Sequence, residues 1–530
     1  MSTRIASINS TMKLNKTQTL IQAAIVVGIV VLLNIISIRI FSRIDLTAEN
    51  VYTLSEASQS LVGSLDDRVS VKGYFTEDLP APYNGNRRAT LDILNEYKAY
   101  SGGNLQFDFV NPTGDAGEQE AQQQGIAPVQ VQVINDDKLE VKRGYMGLVM
   151  LYEDRKETIP VVQNLTSLEY DISSALKRLT TTVKKKIGYS TGHQEADPSS
   201  FQQAAQMVSG QYDLVPVDLG SGAQILQDLA ALLVIAPQTR FSDSSQYALD
   251  QFVMRGGTVA FLVNKYAASL QARSSQERFA RNVDVGLDSL LAHYGIRINA
   301  DLVRDAQCAP ITVMQQQGMF RFQSQVPFPL LPLASTFNRD HMIVKDLESV
   351  LFFFVSSLDT SLASSKGLKA EVLVRSSKQS GTQTGFILID PFQQVGPADL
   401  AMQNIPLAAV VQGSFTSYFA DRLPRAQITS SPETRILVVG DGDFMKDEYL
   451  GSRDNVNFFA NIVDYLADDA GLITIRSKNV AQPPLEQVAD GTKRVLKYVN
   501  MFLPPLLAVG YGLFRWQRRV SLKRALESQV

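Results

Sequence analysis

The sequence predicts an α/β protein: a thioredoxin-like N-terminal unit, then a doubly wound unit, flanked by two transmembrane helices. Three observations carry this. Strand-like and helix-like patterns alternate through the middle of the chain. LAALLVIAPQ (Leu229–Gln238) is a continuous apolar run, as a central parallel strand buried on both faces requires. A long apolar segment stands near each end, at 20–40 and 495–514.

The first segment, LIQAAIVVGIVVLLNIISIRI, is interrupted only by Gln22, Asn34, Ser37 and Arg39. It is longer than the apolar region of a cleaved signal, and RIFSRIDL after it offers no small-residue cleavage site, so it reads as an anchor. It follows a tail at 1–19. In the unit at 45–182, Ser55 is placed to cap a helix over Glu56–Ser64. Strands are expected at Val69–Phe75, NLQFDFVNP, Val129–Asn135, YMGLVMLYED and KETIPVV, with helices at RRATLDILNEYKAYS, Glu118–Gln124 and Leu168–Leu179. The order βαβαββα resembles a thioredoxin-like fold, with Pro128 placed before a strand. The loop after the first strand, TEDLPAPYNG, has no cysteine, so the scaffold's redox chemistry is excluded.

The second unit spans 184–480. KKIGYS, YDLVPVDL, the apolar run and TVAFLVN read as strands. Ser200–Ser209 and SSQYALDQFVMRGG read as helices, the latter ending at Gly256 as its C′ residue. About 297–427 reads as a strand-rich insertion. Regular α/β pattern returns with TRILVVGDGDF and NVNFFANIVDYLADD, and a Pro-containing linker at 481–494 leads to the second anchor. That anchor carries Lys497, Asn500, Pro504 and Pro505. An amphipathic surface helix is the alternative there. The basic tail at 515–530 favours a span: Arg515, Arg518, Arg519, Lys523 and Arg524 mark a cytoplasmic flank, with Trp516 as interfacial anchor. Both termini are then cytoplasmic and the body between the anchors is exocytoplasmic.

Chemistry is sparse. A net charge of −3 argues against binding nucleic acid through phosphate contacts. The single cysteine, Cys308, excludes an intramolecular disulfide, a CxxC pair and a cysteine zinc cluster, and no metal or cofactor is expected. DAQCAPI lacks a nucleophile-elbow pattern, which leaves Cys308 as a buried thiol. No Walker A string occurs, so ATP hydrolysis needs another chain. GDGDF shows G-x-G, but Met445 stands where the dinucleotide fingerprint needs glycine. His293 sits at an expected helix end, where a charge role at the C-terminus suffices. His341 has no recognisable partner spacing. One cluster remains. His193 and Glu195 follow the first strand of the second unit, and Asp441 and Asp443 follow a later one. Were those strands neighbours, an imidazole and three carboxylates would converge at the ligand-binding edge of the sheet. The alternative gives the carboxylates cap and turn roles, with His193 solvated.

The motifs IDLTAENVYTLS, VSVKGYFTEDLP, YSTGHQEAD, LLVIAPQTRFSDSSQYALDQFVMRGGTVAFLVN, VKDLESVLFFFVSSLDT and ILVVGDGDF, in this order, resemble the GldG-like family, auxiliary subunits of the gliding-motility-associated ABC transporter. The resemblance covers nearly the whole chain. It implies an amidotransferase-like α/β fold for the second unit, without that fold's nucleophilic cysteine. It implies a non-enzymatic partner of an ABC ATPase and a polytopic permease in the bacterial inner membrane, with a periplasmic body. VNKY (Val263–Tyr266) departs from relatives that carry an acidic residue and proline there. Gliding itself is not implied. A stand-alone envelope-anchored binding or sensing protein is the other reading.

Overall fold

The computed structural model describes residues 53–468, with breaks at 78, 81–82, 136–137, 163–164, 166, 182, 222–224, 226, 271–277, 318–319, 423–424 and 450–452. It also describes 490–527 and the isolated residues Ile25, Gly28 and Ile473. The described chain is mixed α/β and divides into two compact units between Lys184 and Lys185.

In the first unit, Ser55 caps α1 (Glu56–Gly63): its Oγ accepts the Ser58 N–H at 3.2 Å. Strand β1 (Val69–Phe75) leads through α2 (Asn86–Tyr100) to β2 (Leu105–Val110), which pairs parallel to β1. Helix α3 (Gly114–Gln123) precedes a hairpin of β3 (Val129–Asn135) and β4 (Lys138–Gly144). Then β5 (Met146–Tyr152) pairs antiparallel with β1, β6 (Arg155–Ile159) with β5, and α4 (Leu168–Thr180) closes the unit. The sheet order is β2-β1-β5-β6. The β3–β4 hairpin is a separate ribbon, so Pro128 precedes that ribbon and not a strand of the main sheet. Strand β4 (KLEVKRG) escaped the sequence reading because its charges interrupt the apolar pattern.

The helices of this unit are joined by a buried polar network. The Tyr97 hydroxyl lies 2.6 Å from Ser173 Oγ and 3.0 Å from the Glu169 carbonyl, and Ser58 Oγ lies 2.8 Å from Ser173 Oγ. Burial drives the Tyr97 phenol far above its ordinary pKa, so it stays protonated as a donor.

The second unit is built on an eight-stranded sheet. Five strands are parallel: β8 (Tyr212–Asp218), β7 (Lys185–Thr191), β9 (Leu229–Ile235), β10 (Thr258–Leu262) and, further along the chain, Ser430–Val439. Three antiparallel strands extend the sheet beyond Ser430–Val439: Pro406–Thr416, Lys369–Arg375 and the short edge Thr336–Phe337. Part of the stretch read as an insertion at about 297–427 therefore continues the main sheet. The rest forms smaller sheets, the longest a hairpin of Cys308–Gln317 with Phe320–Ala334.

The central strands explain why the apolar run is unbroken. Ala231, Leu233 and Ile235 point into one core with Phe201, Val208 and Phe459. Leu232 and Val234 point into the other with Leu249, Phe252 and Leu290. Successive strand residues alternate faces, and helices cover both, so every position is apolar. Helix α5 (Gln202–Ser209) belongs to the first core, and α6 (Asp243–Met254) and α7 (Asp288–His293) to the second. Gly256 takes φ +93°, the left-handed turn expected of it after α6. Helix α8 (Arg453–Leu466) packs on the first core.

The expected span at 20–40 lies outside the described residues, save Ile25 and Gly28. The expected linker lies outside them as far as Ala489. From Asp490 the chain is helical: α9 runs Asp490–Glu527 and contains 495–514. No helix among the described residues is long and apolar enough to cross a membrane. Lys497, Asn500, Pro504 and Pro505 lower the mean hydropathy of 495–514.

Candidate functional site

The carboxyl ends of the parallel strands β7, β9, β10 and Ser430–Val439 share one edge of the sheet, and the four residues singled out in the sequence lie there. Among the described residues no hydrogen bond or ion pair joins His193 or Glu195 to Asp441 or Asp443. Strands β9 and β10 stand between β7 and Ser430–Val439. The loop after Ser430–Val439 reaches back across β10: a Cβ on Gly442 would lie 2.8 Å from the Ala236 Cα at the end of β9. The edge holds two separate groups.

The first group is a folded-back turn after β7. Gly192 takes φ +105° and Gln194 φ +56°. The His193 N–H donates to Glu195 Oε2 at 2.6 Å, and Gln238 and Thr239 N–H groups donate to the His193 carbonyl at 3.0 and 3.1 Å. The imidazole stacks on Phe241 at 3.7 Å between centroids. Its Nδ1 lies 3.4 Å from Glu195 Oε1, outside hydrogen-bond geometry. The side chains of His193 and Glu195 are 5% and 2% exposed, so the expected solvated histidine is in fact buried.

The second group surrounds Asp441, which is fully buried. Its Oδ2 accepts the Phe353 N–H at 2.7 Å and its Oδ1 the Asp443 N–H at 2.6 Å. Asp443 Oδ2 accepts from Asn264 Nδ2 at 2.9 Å, and Oδ1 pairs with Lys446 Nζ at 2.5 Å. Asn264 Oδ1 accepts the Gly442 N–H at 2.6 Å. The segment 350–357 closes over this loop: the Ser356 N–H donates to the Gly440 carbonyl, and a Cβ on Gly440 would lie 2.0 Å from the Ser356 carbonyl oxygen. Asn455 of α8 fixes the same segment through the N–H and carbonyl of Leu351. The Asp441 carboxylate thus holds backbone N–H groups, and the Asp443 carboxylate holds the Asn264 and Lys446 side chains. They act as turn and staple groups.

Burial, then the charge of Asp443, pushes the Asp441 carboxyl up to about 8, against the two backbone N–H groups that pull it down. A carboxyl whose pKa is raised on folding binds its proton more tightly in the native state. Its stability contribution is full below the ordinary carboxylate range and is lost as pH rises through about 8. The expected result is that the unfolding free energy of the wild type, relative to Asp441→Asn, falls steadily from pH 5 to about 8 and then levels off in urea titrations. A difference independent of pH contradicts the assignment.

Sequence reasoning did not single out Asn264, Phe241 or Phe353. Asn264 follows β10 in the VNKY loop, so its place at the carboxyl edge was a usable signal. Lys265 beside it is buried and paired with Asp288. The remaining candidates are structural. Cys308 is half-buried, and burial pushes its thiol pKa up, away from a reactive thiolate. His293 ends α7, but burial lowers its pKa and its Nε2 lies 3.0 Å from the Thr416 carbonyl, so it serves as a neutral donor in place of the expected helix-end charge. His341 packs against Tyr465 and is likewise lowered by burial. Among the described residues no group of His, Cys, Asp and Glu is arranged to hold a metal ion. Arg515, Trp516, Arg518 and Arg519 fall on α9, where Trp516 is 62% exposed.

Two cavities lie away from these groups. One of about 510 Å³ opens at the amino end of the main sheet, lined by Lys185, Thr258, Gln412, Arg435 and Asp468 among others. The other, of about 540 Å³, lies beside the carboxyl end of β1 in the first unit.

Residues 184–468, more than half the chain, match an ABC-transporter auxiliary family described as "ABC-type uncharacterized transport system". The chain belongs to this family. Residues 48–151 match a second family, described as a domain of unknown function. A relative from Borreliella burgdorferi, titled "Uncharacterized protein", is 22% identical over 499 residues, covering 91% of this chain and 94% of the relative. Among solved structures, the mmIFT52 N-terminal domain overlaps at TM-score 0.33 and 14% identity, covering 53% of this chain and 97% of that domain. An exo-β-1,4-mannosidase, Op5Man5 from Opitutaceae bacterium strain TAV5, overlaps at TM-score 0.23 and 9% identity, covering 74% of this chain and 49% of that one. Both scores are too low to indicate a shared fold.

Proposed function

We propose that this family member is a non-catalytic, GldG-like subunit that couples a partner ABC ATPase and a polytopic permease to a binding body outside the cell membrane. The observation that carries the reading is the family match over 184–468. The absence of a Walker A string in the sequence supports it, because the energy must then come from another chain. In this account the first unit is a thioredoxin-like scaffold, in keeping with its β2-β1-β5-β6 order, and the second an amidotransferase-like one; each works without the cysteine chemistry of its fold class.

Helix α9 supplies the link to the membrane. Its apolar side chains point out on all sides: Phe502, Leu506, Val509 and Leu513 are each half-exposed or more, as are Tyr498, Met501 and Phe514. An all-round apolar helix requires an apolar surrounding. Lys497, Asn500, Pro504 and Pro505 make it too polar to face lipid alone, so it packs against the permease, where neighbouring helices satisfy polar and proline-freed groups. The basic tail from Arg515 lies on the cytoplasmic side. With the 20–40 segment as first anchor, both termini are cytoplasmic and the body is periplasmic in a bacterial inner membrane. Nucleotide-driven movement of the permease then reaches the body through both anchors, a coupling that needs two states biased by nucleotide.

Single-cysteine labelling tests this arrangement. In a Cys308→Ser background, an impermeant maleimide is expected to label Lys378→Cys from the periplasm and to leave Ser521→Cys unlabelled until the membrane is opened. Cross-links from Leu506→Cys to the permease are expected to change between ATP-bound and nucleotide-free states. The reverse labelling pattern sinks the topology, and cross-links indifferent to nucleotide sink the coupling.

A further inference from the structure

We propose that the cavity beside β1 in the first unit binds an organic anion: a carboxylate or phosphate head carried on an apolar body. Its volume of about 540 Å³ suits a small molecule. Phe75 and Leu79, both buried, supply an apolar wall. Thr76, Glu77, Tyr83 and Asn84 supply polar groups, and among the described lining residues Arg87 and Arg88 set two guanidinium groups against the one carboxylate of Glu77.

The arginines are exposed on the first turn of α2, and among the described residues neither has a carboxylate partner. Arg87 does have a platform. Its guanidinium lies 5.5 Å from the centre of the Phe109 ring, which packs against Phe75 at 5.4 Å. Phe109 gains its place from Gly73, where a Cβ would stand 2.9 Å from the ring. The surrounding walls are tied to the sheet. Thr76 N–H donates to the Tyr145 carbonyl at 2.9 Å, and Tyr145 N–H donates to Thr76 Oγ1 at 2.9 Å. Asn86 Nδ2 donates to the Val162 carbonyl at 2.8 Å, which fixes the start of α2 and with it both arginine Cα positions.

A planar guanidinium fork matches a carboxylate or phosphate, and two of them beside an apolar wall select an anion with an apolar body over a bare inorganic ion. A cation meets net positive charge among the described lining residues. An uncharged apolar molecule leaves both guanidinium groups unused. The inference concerns the first unit alone and does not rest on the transport assignment, which comes from 184–468.

The test uses the full chain in detergent, titrated calorimetrically with 4-phenylbutyrate, with phenyl phosphate, and with benzyl alcohol as the uncharged probe. At least one anion is expected to saturate at millimolar concentration or below, and the stronger of the two identifies the head group. The double variant Arg87→Ala/Arg88→Ala is expected to weaken it by about tenfold or more, as loss of charge-assisted pairing implies. Arg155→Ala, elsewhere in the same unit, is expected to bind as wild type, and benzyl alcohol not to saturate. Both arginines are exposed, so an unchanged melting temperature checks that the double variant is folded. Saturation by neither anion overturns the proposal. So does binding that the double variant leaves intact, or binding of benzyl alcohol as strong as that of the anions.

Discussion

Replacing Asp250 by alanine is expected to destabilise the second unit by about 4 kcal/mol, the sum of several buried donors left without an acceptor. Asp250 sits on α6 with no exposure. Its Oδ1 accepts from the Tyr294 hydroxyl at 2.8 Å and from the Tyr418 N–H at 2.7 Å. Its Oδ2 accepts from Ser417 Oγ at 2.6 Å and Gln251 Nε2 at 3.0 Å. One carboxyl thus holds α6, the end of α7 and the turn after Pro406–Thr416. Burial and the Asp250 charge raise the Tyr294 phenol well above its ordinary pKa, so it remains a donor. The expected order of loss in urea unfolding is Asp250→Ala, then Asp250→Asn, which keeps one acceptor and turns an amide against the donors, then Tyr294→Phe at about 1 kcal/mol. Hydrogen exchange should rise first in 417–428, because Gln251 Oε1 also accepts the Gln427 and Ile428 N–H groups. An Asp250→Ala variant within 1 kcal/mol of wild type contradicts this role.

The second large effect is on assembly. Leu506 is 66% exposed and Val509 60% exposed on α9, one turn apart. Leu506→Arg/Val509→Arg places two charges in the segment assigned to the permease contact. Each costs about 2.5–3.5 kcal/mol at the centre of a membrane helix, so the pair shifts association by roughly four orders of magnitude. The expected outcome is loss of the permease from detergent pull-downs, with the folded body unchanged in its melting temperature. Leu506→Ala/Val509→Ala is expected to weaken recovery without abolishing it. Retention of the permease by the arginine variant at wild-type yield would refute the contact.

The parts of the fold visible in the sequence are the local ones. The apolar run at Leu229–Ile235 announces a strand with a core on each side because all its side chains share that requirement. Ser55 and Gly256 mark helix ends through their own backbone chemistry. Strand order is not local. Nothing near His193 or Asp441 says that β9 and β10 stand between their two strands. The Phe353 N–H that occupies Asp441 comes from 88 residues away. Pairing of Lys369–Arg375 with Pro406–Thr416 likewise joins the stretch at 297–427 to the main sheet through partners no pattern reveals. The cavity beside β1 was hidden differently. TEDLPAPYNG lacks the cysteines of a redox loop, and Arg87 and Arg88 just after it gain meaning only once Phe109, from the next strand, lies beneath Arg87.

The central claim is that this chain works as a subunit of an ABC transport machine. Affinity purification of the full-length chain from its native membrane in mild detergent, followed by mass spectrometry, tests it most directly. The account predicts that a Walker A-containing ATPase and a multi-span permease co-elute with the chain in fixed ratio. Recovery of the chain at full yield with neither protein would contradict it.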